Sequence, residues 1–132
     1  MMDLGLLIIR LVVGLLFIGH GAQKLFGWFG GHGLEGTGGW MESIGMKPGV
    51  TMALLAGLSE FIGGILFALG LLTPLAGLMI AGTMVIAISK VHGKNGLWAT
   101  QNGYEYNLVL LAVAIGIAFS GPGQYAVDAF LF

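Results

Sequence analysis

The stretch FIGGILFALGLLTPLAGLMIAGTMVIAIS, residues 61–89, contains no charged side chain. About 20 apolar residues in helix cross a hydrocarbon layer of about 30 Å, so this run is too long for one comfortable span. Thr73-Pro74 supplies the break, because proline suits the first turn of a new helix and cannot continue an old one. The run therefore reads as two spans in a tight hairpin, near residues 50–71 and 74–89. Working outward by the same criterion, a first span lies near residues 4–23 and a fourth near 105–119. The expected fold is an all-α integral membrane four-helix bundle, with residues 1–132 as a single domain. Span one does not read as a cleaved leader, since Met1-Met2-Asp3 carries no base and Arg10 interrupts its apolar run.

Composition agrees. Of the 132 residues, 57% are apolar and only 8% charged, there are 25 glycines, and the mean hydropathy is +0.95. A soluble domain carries about 25% charged residues and about 7% glycine. A formal net charge of −1 offers no basic surface for phosphates, which excludes a nucleic-acid partner. The absence of cysteine excludes disulfides and thiolate-held metal centres.

Residues 27–49 differ in kind, with nine glycines accompanied by Trp28, Phe29 and Trp40. Indole and phenyl rings settle at headgroup level, so this glycine-rich segment reads as an interfacial loop packed over one end of the bundle, with a short helix over residues 41–46. Lys24 and Lys47 flank that loop and Lys90 and Lys94 begin the third, whereas the termini carry only Asp3 and Asp128. The positive-inside rule then puts loops one and three in the cytoplasm and both termini outside.

An ionisable group at the bilayer centre costs about 2.5–3.5 kcal/mol on insertion scales, so each one calls for a partner. Arg10 and Glu60 both lie within spans, and at 1.5 Å per residue their depths differ by about 5–9 Å, within partial reach of an arginine stem. An Arg10–Glu60 pair is the expectation, either as a functional group or as a pin for helix register. On span one, Arg10, Gly14, His20, Gly21 and Lys24 share an arc of about 120° that should face inward. Around Glu60 the helix surface presents Ala53, Ala56, Gly57, Gly63, Gly64 and Phe67, suited either to close packing or to a flat ligand. The loop-three end gathers His92, Asn95, Gln101, Glu105 and Asn107 in the layer of His20 and Lys24. Such a polar chamber can pass protons and hydrogen-bond the oxygens of a quinone-like ring. His20 and His92 also form a possible axial pair for haem, a minor alternative without an attachment motif, and no short-spaced metal-ligand motif occurs.

These residues resemble the DoxX family of small four-span bacterial membrane proteins over nearly the whole chain. The resemblance is carried by Arg10-Leu11, Gly14, Phe17, Gly19-His20-Gly21 and Lys24-Leu25. It continues through the loop from Gly30 to Thr37 with Trp40-Met41 and Ile44-Gly45, then Glu60, Gly63-Gly64 and Gly70-Leu71-Leu72-Thr73-Pro74. His92, Asn95-Gly96 and Gly103-Tyr104-Glu105-Tyr106-Asn107 complete the set. It implies a multi-pass protein of the bacterial cytoplasmic membrane, an oxidoreductase or oxidoreductase subunit linked to quinones and to redox or catechol stress defence. On this reading Glu60 and Glu105 exchange protons and Arg10 holds Glu60 ionised, while His20, Lys24, His92, Asn95 and Asn107 bind the ring. Electrons would come from bound quinol or from a soluble redox enzyme carrying its own cofactor. A membrane scaffold for such an enzyme and a small-solute permease are the alternatives, and the glycine faces suit a homo-oligomer.

Overall fold

The computed structural model describes all residues, 1–132, and is helical throughout. Its elements are α1 (Met2–Phe26), α2 (Gly33–Ser43), α3 (Gly49–Leu69), α4 (Thr73–Ala87), α5 (Glu105–Ser120) and α6 (Val127–Leu131). Helix α4 runs on through a π-helical turn, Ile88–His92, and a 3-10 turn, Gly93–Asn95. Helices α1 and α3 and the extended α4 are each long and apolar enough to cross a membrane, and α5 is a shorter apolar helix of 16 residues. At 1.5 Å per residue α5 covers about 24 Å, somewhat less than a full hydrocarbon core.

The hairpin forms where the sequence breaks. Helix α3 ends at Gly70 in the left-handed region, φ +68°. The Leu71 N–H donates to the Leu66 carbonyl and the Gly70 N–H to that of Phe67, the paired closure that glycine makes possible at a helix end. Pro74 then occupies the first turn of α4.

Glycine and alanine line the helix contacts around a few large buried side chains, and many other large apolar side chains point outward. The core is Val13 and Phe17 of α1, Phe67 of α3, Ala76, Ile80, Ala81 and Met84 of α4, and Ala114 and Ile117 of α5. Leu15, Leu16, Leu55, Leu78, Val109 and Phe119 are among many exposed apolar side chains, as expected of surfaces covered by lipid tails. Glycines bring the antiparallel α1 and α3 into backbone contact: a Cβ on Gly14 would stand 2.7–2.8 Å from Ala68 and the Gly64 carbonyl, and one on Gly21 would stand 2.5–2.7 Å from Phe61. Dispersion between closely approached backbones drives such pairs in lipid, where apolar burial alone gives no advantage.

Loop one is packed, but its helix is not where the sequence suggested. Helix α2 occupies Gly33–Ser43, and residues 44–48 form the turn into α3. Glycines at 33, 36, 38 and 39 read as helix breakers, yet tertiary contact outweighs propensity here. Gly38 lies against Gly49 and Val50, while Thr37 and Met41 are buried. Glu42 Oε2 accepts the Gly49 N–H at 3.0 Å, placing a carboxylate at the positive end of α3.

Candidate functional site

The ion pair buried within the bundle is Lys24 with Glu60, not Arg10 with Glu60. Lys24 Nζ stands 2.8 Å from Glu60 Oε1, with 24% of the lysine side chain and 6% of the glutamate side chain exposed. Register explains the partner. Gly14 opposes Gly64 and Ala68, Gly21 opposes Phe61, and Gly57 opposes Lys24 and Leu25. Eleven residues, about 16 Å, therefore separate Arg10 from the level of Glu60, against about 5 Å for Lys24. With no side chain on Gly57, the Lys24 stem lies against α3, a turn of helix from Glu60. The lysine also sits in the last turn of α1, where the helix dipole favours a cation.

Arg10 serves the opposite end. It is fully buried, and its guanidinium donates from Nη1 to the Ala68 carbonyl at 3.1 Å and from Nη2 to the carbonyl of Tyr125. It thereby ties α1 to the end of α3 and to the C-terminal segment. Asp128 grips the same hairpin: its carboxylate accepts the Leu72 N–H at 2.7 Å, the Thr73 N–H at 2.9 Å and the Thr73 hydroxyl at 2.7 Å. A residue from the far end of the chain thus performs the capping that α4 lacks locally.

Burial pushes the Asp128 carboxyl up, but the Thr73 and Leu72 hydrogen bonds and the Arg10 charge together hold it below the usual carboxylate range. A depressed acid contributes stability above its unfolded pKa and loses it as pH falls through the folded one. Asp128→Asn is expected to cost about 1 kcal/mol at neutral pH, the worth of a helix cap. It should also flatten the loss of thermal stability on acidification, read by circular dichroism in detergent between pH 7 and pH 3. An unchanged acid limb would show that Asp128 does not contribute it.

The loop-three residues are drawn into the loop itself. His92 Nδ1 donates to the Asn102 carbonyl at 3.0 Å, and Asn95 Nδ2 donates to the same oxygen at 3.0 Å. A carbonyl only accepts, so the His92 hydrogen resides on Nδ1. Glu105 Oε1 accepts the Ala99 N–H at 3.0 Å, and Asn107 Nδ2 lies 3.6 Å from Met84 Sδ. His20 faces outward, contrary to the inward arc expected for it. It stands at the rim of that arc, while α3 covers the part centred on Arg10, Gly14 and Gly21, which are buried. His20 lines a groove of about 450 Å³ on the outer face of α1 with Leu15, Leu16, Gly19, Gln23 and Phe29. Nothing from the segment of His92 enters that groove, and no three potential metal ligands cluster. His20 opens on the outer face of α1, whereas His92 is held by the Asn102 carbonyl within loop three.

A buried ion pair in a small glycine-packed bundle is the setting in which kinship becomes informative. The DoxX family model matches residues 5–93, which contain Arg10, His20, Lys24 and Glu60. This chain belongs to the DoxX family. Among relatives of this DoxX protein, the putative oxidoreductase CatD of Bacillus subtilis is 32% identical over 130 residues, covering 98% of this chain and 89% of that one. The inner membrane protein YqjF of Escherichia coli is 30% identical over 129 residues, covering 98% and 93%. A second Escherichia coli inner membrane protein, YphA, is 30% identical over 128 residues, covering 93% and 87%. No solved structure matches the DoxX chain.

Sequence reading missed Asp128 as a cap and Lys24 as the partner of Glu60. The first is separated from Thr73 by most of α4 and α5 and carries no local motif. The second was legible in principle, because aligning glycines across α1 and α3 sets the register that brings Lys24 to Glu60.

Proposed function

We propose that this DoxX protein is a membrane oxidoreductase subunit that takes up a quinone-type ring and supplies its protons through the Lys24–Glu60 pair. The observation that carries the reading is that pair, 2.8 Å apart and enclosed by α1 and α3. Ionisable groups in a span are costly and mark proton and substrate paths. The relative named as a putative oxidoreductase supports the redox class. Conversion of a quinone to its quinol consumes two electrons and two protons. Glu60 gives and regains protons, and Lys24, partly exposed toward the loop-one end, connects it to water. The electrons come from a soluble partner carrying a flavin, haem or other metal centre, which docks at the lysine-bearing end on the cytoplasmic side.

The test uses purified protein in lipid nanodiscs titrated with a decyl-benzoquinone and followed by tryptophan quenching. Saturable binding is expected. Cells carrying Glu60→Gln, with the protein still accumulating in the membrane, should lose tolerance to redox-cycling quinones by about tenfold or more. Absence of saturable binding, or full tolerance in the variant, would overturn the reading.

A further inference from the structure

We infer that the ring enters from the bilayer and binds in the groove on the outer face of α1, against His20 and beside Phe29, rather than between the helices. This rests on the quinone reading and assigns its binding site. The groove measures about 450 Å³, within the range of about 300–1,000 Å³ common for small-molecule pockets. Its floor is Gly19, where an added Cβ would find no atom within 4 Å, so the helix backbone presents a flat open strip. Leu15 and Leu16 form apolar walls.

The backbone at the margin of the groove is pinned, while the Phe29 side chain is largely exposed. Phe29 has φ +54°, in the left-handed region that disfavours a side chain, so its surroundings must keep it there. Gln23 Nε2 donates to the Phe29 carbonyl at 3.2 Å, and Gly31 lies tight against the Gln23 backbone. The Trp28 ring meets that of Phe29 edge-on, with centroids 6.3 Å apart and planes at 87°. A glycine floor with an aromatic residue at its margin offers a flat ring an open strip of backbone to lie on and a phenyl group to meet.

Polarity fits the same occupant. An acyl chain needs only apolar walls, whereas this mostly apolar groove also counts His20 and Gln23 among its lining residues. A ring oxygen can accept a hydrogen bond from His20, whose own ring stands 6.2 Å from that of Phe17. His20 is one helical turn from Lys24, a spacing that puts Cβ atoms about 5–6 Å apart, and Lys24 meets Glu60. The groove therefore adjoins the buried pair through a residue able to relay a proton, while the ring remains reachable from lipid.

The experiment titrates wild type, Gly19→Leu, His20→Ala and Gly116→Leu with decyl-benzoquinone in nanodiscs. Gly19 and Gly116 both have open space at the Cβ position, so both leucines fold, which unchanged thermal midpoints will verify. Gly19→Leu fills the groove and is expected to weaken binding by more than about tenfold, and His20→Ala by about tenfold, the loss of one hydrogen bond. Gly116→Leu on α5 should bind as wild type does. If Gly19→Leu binds as wild type does, the groove is overturned while quinone binding itself stands. If wild type binds nothing, the quinone reading falls and this inference with it. Equal weakening in Gly19→Leu and Gly116→Leu would overturn the groove by showing that the loss is not local to it.

Discussion

Truncation of Lys24 to alanine is expected to destabilise the protein by about 3–5 kcal/mol, the usual cost of leaving one charge of a buried pair without its partner. Truncation of Glu60 should cost less than half of that. The asymmetry follows from exposure: Glu60 is 6% exposed and has nowhere to go, whereas Lys24 is 24% exposed and close to the end of α1. A lysine freed from Glu60 can extend its stem toward the headgroups and recover water. A glutamate deprived of Lys24 stays among the glycines and phenylalanines of α3. Unfolding in mixed micelles, read as a shift in midpoint, measures both. Equal costs would mean that Lys24 is as confined as its partner.

The double replacement Lys24→Met with Glu60→Leu separates structure from chemistry. Apolar residues of similar volume commonly substitute for a buried ion pair without loss of stability, so the double variant should fold nearly as well as wild type. It should still bind the decyl-benzoquinone, since the groove at His20 is intact. Tolerance to redox-cycling quinones should nevertheless be lost, because the carboxylate that gives and regains protons and its lysine partner are both gone. Full tolerance in the stable double variant would reduce the pair to a pin that sets the register of α1 on α3.

The contrast between these expectations and the sequence reading lies in what each residue reports. Thr73-Pro74 and the uncharged run around it specify the hairpin locally, and the observed helices begin and end within a few residues of the spans read from hydropathy. The burial of Arg10 and Glu60 was also legible, since charge and glycine share a helical face in both helices. Partner choice was not, because it depends on how far α1 slides along α3. In the observed register Arg10 stands eleven residues from the level of Glu60 and Lys24 only about three, which selects Lys24–Glu60 and leaves Arg10 for the Ala68 and Tyr125 carbonyls. His20 shows the same limit in rotation. It lies only about 40° from Lys24 on the helix, yet one faces α3 and the other faces lipid. Glycine adds a third ambiguity: in α2 it lies inside a helix, at Gly70 it ends one, and in α1 it does both close packing and open spacing.

That last distinction yields the second large effect, from two glycines with a single residue between them. Gly21→Val is expected to destabilise the protein by about 3 kcal/mol, the upper range for overpacking. Its Cβ would fall 2.5–2.7 Å from the N, Cα and Cβ of Phe61, and a backbone cannot turn aside as a side-chain tip can. Helix α1 must then move off α3, and the movement is shared by the Gly14 and Gly57 contacts and by the Lys24–Glu60 pair along the same crossing. Gly19→Ala, by contrast, meets open space, so its gain in helix propensity of up to about 1 kcal/mol is unopposed and stability should hold or rise. Unfolding midpoints of the two variants in the same micelles decide the matter. A stable Gly21→Val would mean that α1 and α3 do not touch at Phe61. It would also remove the register that joins Lys24 to Glu60, because both rest on the same close approach.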